Sequence, residues 1–130
     1  MVHYHQDYLR GKENEKKVLE IIKEFWKDRE IIHETDKWCK YDFSCKNYTY
    51  ELKTRTNTYS RYPTTMITCN KLEKGRILLF SYTDGLYFIE YDEEQFKDFE
   101  TASFSRYGQV WDEKLHIYIP IDKLTLILKY

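Results

Sequence analysis

The chain is poor in the residues that mark several protein classes, and each shortage excludes something. Its three cysteines, Cys39, Cys45 and Cys69, are an odd number without CxxC spacing, so neither a disulfide framework nor a zinc ribbon is expected, and a reducing compartment fits best. Four glycines and two prolines leave no Gly-rich phosphate loop and no Pro/Gly-rich linker, hence no internal domain boundary. No apolar run reaches the roughly 20 residues that a membrane-spanning helix needs, and the opening "MVHYHQDYLRGKENEKK" lacks the apolar centre of a secretory signal. These absences predict a soluble, intracellular protein, cytoplasmic or nuclear, with no membrane partner.

A basic excess is missing too: the formal net charge is −1, whereas phosphate-binding domains are usually basic. The average conceals a gradient. Residues 1–80 carry 16 Lys/Arg against 12 Asp/Glu, and residues 81–130 carry 5 against 10. Between Lys37 and Arg76 nine basic residues stand against three acidic ones, Asp42, Glu51 and Glu73.

Aromatic surface, by contrast, is abundant: 18% of residues are aromatic and 13 are tyrosines, within a 42% hydrophobic composition that argues against disorder. A length of 130 residues supports one core, so a single domain over 1–130 is expected. In "KENEKKVLEIIKEFWKD", Val18, Leu19, Ile21, Ile22, Phe25 and Trp26 recur at helical spacing, with Gly11 preceding the pattern. "EIIHET", "KYDFSCK" and "NYTYELKTR" read as three strands, the last two joined by a tight turn at Lys46-Asn47. "RYPTTMITCNKLEKG" reads as a helix, with Pro63 in a first-turn position and Gly75 as its cap. "RILLFSY", "TDG" and "LYFIEY" make a hairpin, "DEEQFKDFE" a short acidic helix, and "HIYIPIDKLTLILKY" a strand-like end interrupted by Pro120. The order predicts an α/β (α+β) domain with one central sheet.

Alternation along 48–55 places Thr49, Glu51, Lys53 and Arg55 on one face and Tyr48, Tyr50, Leu52 and Thr54 on the other. A turn at Lys46-Asn47 pairs residues whose numbers sum to 93, which sets Asp42 opposite Glu51. Two opposed carboxylates repel unless positive charge lies between them, and a Mg²⁺ ion held by one or two carboxylates supplies it. Lys53, on the same face, would orient or deprotonate a water or stabilise charge on a phosphate. The competing reading makes all three solvent-exposed residues in ion pairs worth well under about 1 kcal/mol each.

Asp42 followed by "ELK" at Glu51–Lys53 resembles the D…ExK core of the PD-(D/E)XK nuclease superfamily, including its archaeal-type Holliday-junction resolvases. The resemblance covers residues 11–91 and implies a restriction-endonuclease-like αβββαβ core, a central mixed sheet flanked by helices. It implies Asp42, Glu51 and the Leu52 carbonyl as ligands of Mg²⁺ or Mn²⁺ and Lys53 as the catalytic lysine. Glu15, in "GKENE" on the first helix, takes the place of a further catalytic or ligating acid, with Glu20 as second choice; Glu15 is otherwise a solvated first-turn acid favoured by the helix dipole. Lys71 takes the place of a basic residue after the ExK strand. The implied activity is a metal-dependent nuclease acting on DNA, in repair or recombination, as an endonuclease or exonuclease.

The segment "TRTNTYSRYPTT" adds candidate substrate contacts. Arg55 and Arg61 suit phosphate, Tyr59 and Tyr62 suit an unpaired base, and Thr64 and Thr65 would open the following helix toward a phosphate. Two alternatives stay open: a non-catalytic nucleic-acid-binding module on the same fold, and a protein-interaction domain using the tyrosine-rich surface. A small nuclease acting on two strands would work as a symmetric homodimer.

Overall fold

The apolar stripe of the first helix, α1 (Val2–Trp26), has Val18 and Ile22 fully buried. The computed structural model describes residues 2–36, 38–105 and 113–130. Gly11, expected to precede the helix, lies inside it. An interior glycine costs roughly 0.5–1 kcal/mol relative to alanine, and the helix formers Leu9, Arg10, Lys12 and Glu13 around it offset that cost. The helix stops at Lys27, whose φ of 52° is left-handed. Asp28 N–H then donates to the Lys23 carbonyl at 3.0 Å and Lys27 N–H to that of Glu24 at 3.3 Å, satisfying carbonyls that the last turn leaves open.

Three strands follow: β1 (Ile32–His33), β2 (Phe43–Ser44) and β3 (Thr49–Thr54), an antiparallel meander with Phe43 paired to Tyr50 and Ser44 to Thr49. Those pairs sum to 93, and Cys45 N–H donates to the Tyr48 carbonyl at 2.9 Å, so the turn is at Lys46-Asn47 as its sequence predicts. β5 (Arg76–Tyr82) lies parallel to β3, with Glu51 beside Leu78. β6 (Gly85–Glu90) returns antiparallel, Tyr82 pairing with Gly85, which leaves Thr83-Asp84 as the turn and Gly85 as the first strand residue.

The crossover from β3 to β5 corrects the expected helix over "RYPTTMITCNKLEKG". It holds a 3-10 turn (Tyr59–Arg61), the strand β4 (Thr64–Thr68) and a second 3-10 turn (Cys69–Lys71). Four of the five residues of β4 are β-branched, a stiffness that suits a pleated surface better than a helix, and its buried residues Thr65 and Ile67 alternate with Met66. Gly75, at φ +79°, turns the chain into β5 rather than capping a helix. Thr64 and Thr65 accordingly open no helix.

The short helix α2 (Glu93–Phe96) starts where Asp92 accepts from Glu94 N–H. Then come β7 (Thr101–Ser105), β8 (Glu113–Pro120), a 3-10 turn (Ile121–Lys123) and β9 (Thr125–Lys129). The strands form a six-stranded mixed sheet, β1-β2-β3-β5-β6-β9, and a three-stranded sheet, β4-β8-β7. One face of the large sheet packs Tyr50, Leu52, Ile77, Leu79 and Leu86 against Val18 and Ile22 of α1. The other packs Leu78, Phe80, Tyr82, Tyr87 and Ile89 against Ile67, Ile117 and Ile119 of the small sheet. The class is mixed α+β, with an αβββ meander and a parallel neighbour to β3. The second helix of the expected αβββαβ core is replaced by a strand, so the sheet has a helix on one face and a sheet on the other. No helix among the described residues is long and apolar enough to cross a membrane.

Candidate active site

The regular β2–β3 ladder ends at Phe43, one residue short of Asp42, and this ending builds the site. Asp42 N–H donates to the Tyr50 carbonyl and the Asp42 carbonyl accepts from Glu34 N–H, both at 2.8 Å, so its backbone is held on two sides. Its carboxylate turns into the vacated ladder position, where Oδ2 accepts from Leu52 N–H at 2.8 Å. Asp42 is therefore not a ladder partner of Glu51. On β3 successive residues direct their backbone groups to alternate neighbours, and Thr49 N–H goes to Gly75 at the β5 side. By that alternation the Leu52 carbonyl, like its N–H, points to the side where β2 has ended and the Asp42 carboxylate stands.

Glu51 is only 5% exposed, which rules out a solvated decoration for it. Its Oε1 lies 3.3 Å from Lys53 Nζ and 3.5 Å from Lys71 Nζ. Burial pushes the Glu51 carboxyl above its ordinary value and the charge of Asp42 adds to the rise, while the two ammonium groups oppose it without reversing it. Asp42, Lys53 and Lys71 thus all act on Glu51, in one patch where β2 ends. Lys71 reaches it from a 3-10 turn rather than the expected helix.

Arg76 holds that turn in place, a role that sequence reasoning missed. Only 3% exposed, it donates from Nη1 to the Lys71 carbonyl at 2.8 Å, from Nε to Thr49 Oγ1 at 2.7 Å and from Nη2 to Glu73 at 3.0 Å. The available signal was an arginine opening the otherwise apolar strand "RILLFSY".

Glu15 is directed elsewhere. Its Oε2 lies 3.0 Å from His33 Nε2 and 3.6 Å from Lys12 Nζ, on the α1 face of the sheet, whereas Glu51 and Lys53 are on the opposite face. Asn14, its neighbour, donates to Thr54 Oγ1 at 2.8 Å and ties α1 to β3. The second choice, Glu20, is exposed and pairs with Lys23 at 3.9 Å. Among the described residues no group of three or more His, Cys, Asp or Glu side chains is arranged to hold a metal ion. Asp42, Glu51 and the Leu52 carbonyl are oxygen donors of the kind that a hard divalent cation takes, in the number of protein carboxylates that Mg²⁺ commonly uses. A buried carboxylate beside a second one is also a site that added positive charge would relieve.

The loop after Lys53 divides its roles. Arg55 turns inward: Nε donates to Thr65 Oγ1 at 3.2 Å, Nη2 to the Met66 carbonyl, and the guanidinium lies 5.6 Å from the Phe80 ring, so it pins β3 to β4. Tyr59 stacks on Tyr87 at 4.1 Å and donates to the Ile121 carbonyl at 2.7 Å. Tyr62 is 54% exposed, with the Arg61 guanidinium 5.5 Å over its ring. Arg55, Tyr59 and Tyr62 line one cavity; Lys71 belongs to the Glu51 patch instead.

No family model matches the chain, and no curated protein or solved structure is significantly similar to it.

Proposed function

We propose that the protein is a nuclease dependent on Mg²⁺ or Mn²⁺ that hydrolyses a phosphodiester bond, in DNA, with Asp42, Glu51 and Lys53 at its centre. The observation that supports this most is the buried Glu51, set between the Asp42 carboxylate and the Lys53 and Lys71 ammonium groups where β2 ends. Asp42, Glu51 and the Leu52 carbonyl would hold the cation, which when bound lowers the pKa of water and neutralises phosphate charge. Lys53 orients the attacking water and donates hydrogen bonds to the phosphoryl oxygens as charge builds on them. Lys71 supplies a second positive charge, kept in place by Arg76. The water oxygen bonds to phosphorus as the bond to the leaving sugar oxygen breaks. The Asp…ExK pattern of the PD-(D/E)XK superfamily and the αβββ meander with a parallel fourth strand agree with this assignment. Glu15 is not included, because it engages His33.

The double ammonium contact to Glu51 Oε1 favours a second reading, a non-catalytic nucleic-acid-binding module whose buried acid needs no metal. Incubation with linear, branched and single-stranded nucleic acids, with and without Mg²⁺ or Mn²⁺, separates the two. Cleavage that requires the metal and disappears in Asp42→Ala, Glu51→Ala and Lys53→Ala supports the nuclease. Salt-sensitive binding without cleavage supports the module, and wild-type-like cleavage by all three variants rejects the assigned centre.

A further inference from the structure

The geometry points to a pocket for an unpaired nucleobase beside the Asp42–Glu51–Lys53 centre, a deepening that rests on the nucleic-acid reading above. A cavity of about 320 Å³ opens between the end of β3, β4 and β8, lined by Arg55, Tyr59, Tyr62, Thr65, Tyr82 and Tyr118 among others. That size is at the small end of the roughly 300–1,000 Å³ of ligand clefts, enough for one planar ring system but not for a polymer. Four of the ten residues lining it are tyrosines, which stack on any base because every base has a π-face.

Two observations make the site specific. Tyr59 is fixed by its stack on Tyr87 and its bond to Ile121, so it presents a pre-set ring, while Tyr62, 54% exposed beside Arg61, is placed to act as the outer clamp. Tyr82, 3% exposed, forms a buried wall of the cavity, its hydroxyl beside that of Thr65. Finally, Arg55, one residue past the end of β3 and still bonded through its N–H to the Ser81 carbonyl of β5, follows Glu51 by four residues, so the cavity lies roughly 13 Å along the chain from the centre at about 3.3 Å per residue. A strand crossing the centre therefore brings a neighbouring base to the cavity. A base held in a duplex cannot enter without leaving its stack, so the pocket selects single-stranded or locally unpaired substrate.

The test measures fluorescence anisotropy of a short labelled single-stranded DNA, of its paired duplex, and of single strands with one abasic position moved stepwise along the chain, in EDTA. Mg²⁺-dependent cleavage of the same set is followed in parallel. The pocket predicts tighter binding of the single strand than the duplex, about tenfold weaker binding when the abasic site falls at one position, and loss of that position dependence in Tyr62→Ala. Tyr62 is 54% exposed, so Tyr62→Ala spares the packed core and serves as the variant that folds. Equal effects of every abasic position, or duplex binding as tight as single-strand binding, overturn the pocket. Cleavage without position dependence rejects the pocket and leaves the nuclease standing. Position-dependent binding without cleavage does the reverse, and no binding to any probe rejects both.

Discussion

The two faces of the six-stranded sheet are built to different rules. Against α1, the face is apolar from Phe43 through Leu79 to Leu86, and its acid Glu15 is matched by His33. Against the small sheet, the apolar centre of Leu78, Phe80 and Ile89 gives way at β3 to Glu51, Lys53 and Asp42. The difference lies in strand length. β2 has only two residues, so at β3 the backbone of Leu52 loses its neighbour and Asp42 fills the place with a carboxylate. Both faces carry an apolar core, and only the one against the small sheet gives up apolar area for a charged patch at the point where the ladder stops.

Substitutions on the two faces should therefore separate activity from stability. The largest effect is expected on the charged face: Lys53→Ala should lower metal-dependent cleavage by about 10²-fold or more, measured on labelled oligonucleotides, with the unfolding midpoint near that of wild type. Next, Leu79→Ala on the helix face should destabilise by about 2–5 kcal/mol in urea unfolding, because a fully buried leucine leaves a cavity, while folded variant keeps its cleavage rate. A smaller effect comes from proton linkage. The folded state holds the Glu51 proton more tightly than the unfolded chain, where the ordinary value is 4.5. Its contribution to stability is therefore complete below that pH and is lost as pH rises through the higher folded value. The difference in stability between wild type and Glu51→Gln should shift in favour of Gln over that window, read as paired urea midpoints against pH. The smallest effect is at the end of α1: Lys27→Gly should raise stability by about 1 kcal/mol or less, since glycine adopts the left-handed conformation without strain.

Much of the charged face was legible in the sequence because strand periodicity is two and a single turn sets every pair. Lys46-Asn47 fixed the register of Phe43 with Tyr50 and thereby the neighbourhood of Asp42 and Glu51. The expected direct pairing of Asp42 with Glu51 fails, because β2 stops at Phe43 and spacing does not show where a strand ends. The crossover misled because Pro63 and Gly75 punctuate a strand and a helix alike. The informative signal was the β-branched run Thr64-Thr65-Met66-Ile67-Thr68, and its partner β8 lies some fifty residues away. The strand β7 went unread for want of a strong periodic pattern in "TASFS". The pairing of Glu15 with His33 and the grip of Arg76 on the Lys71 turn depend on tertiary packing that spacing does not encode.

The most direct test of the account is the cleavage of labelled DNA by wild type and Glu51→Gln, with Mg²⁺ or Mn²⁺ and with EDTA. Wild type is expected to cleave only with the metal, and the folded Gln variant to cleave at a rate lower by about a hundredfold or more. Equal rates for the two proteins, or no cleavage of linear, branched or single-stranded DNA by wild type with either metal, would contradict it.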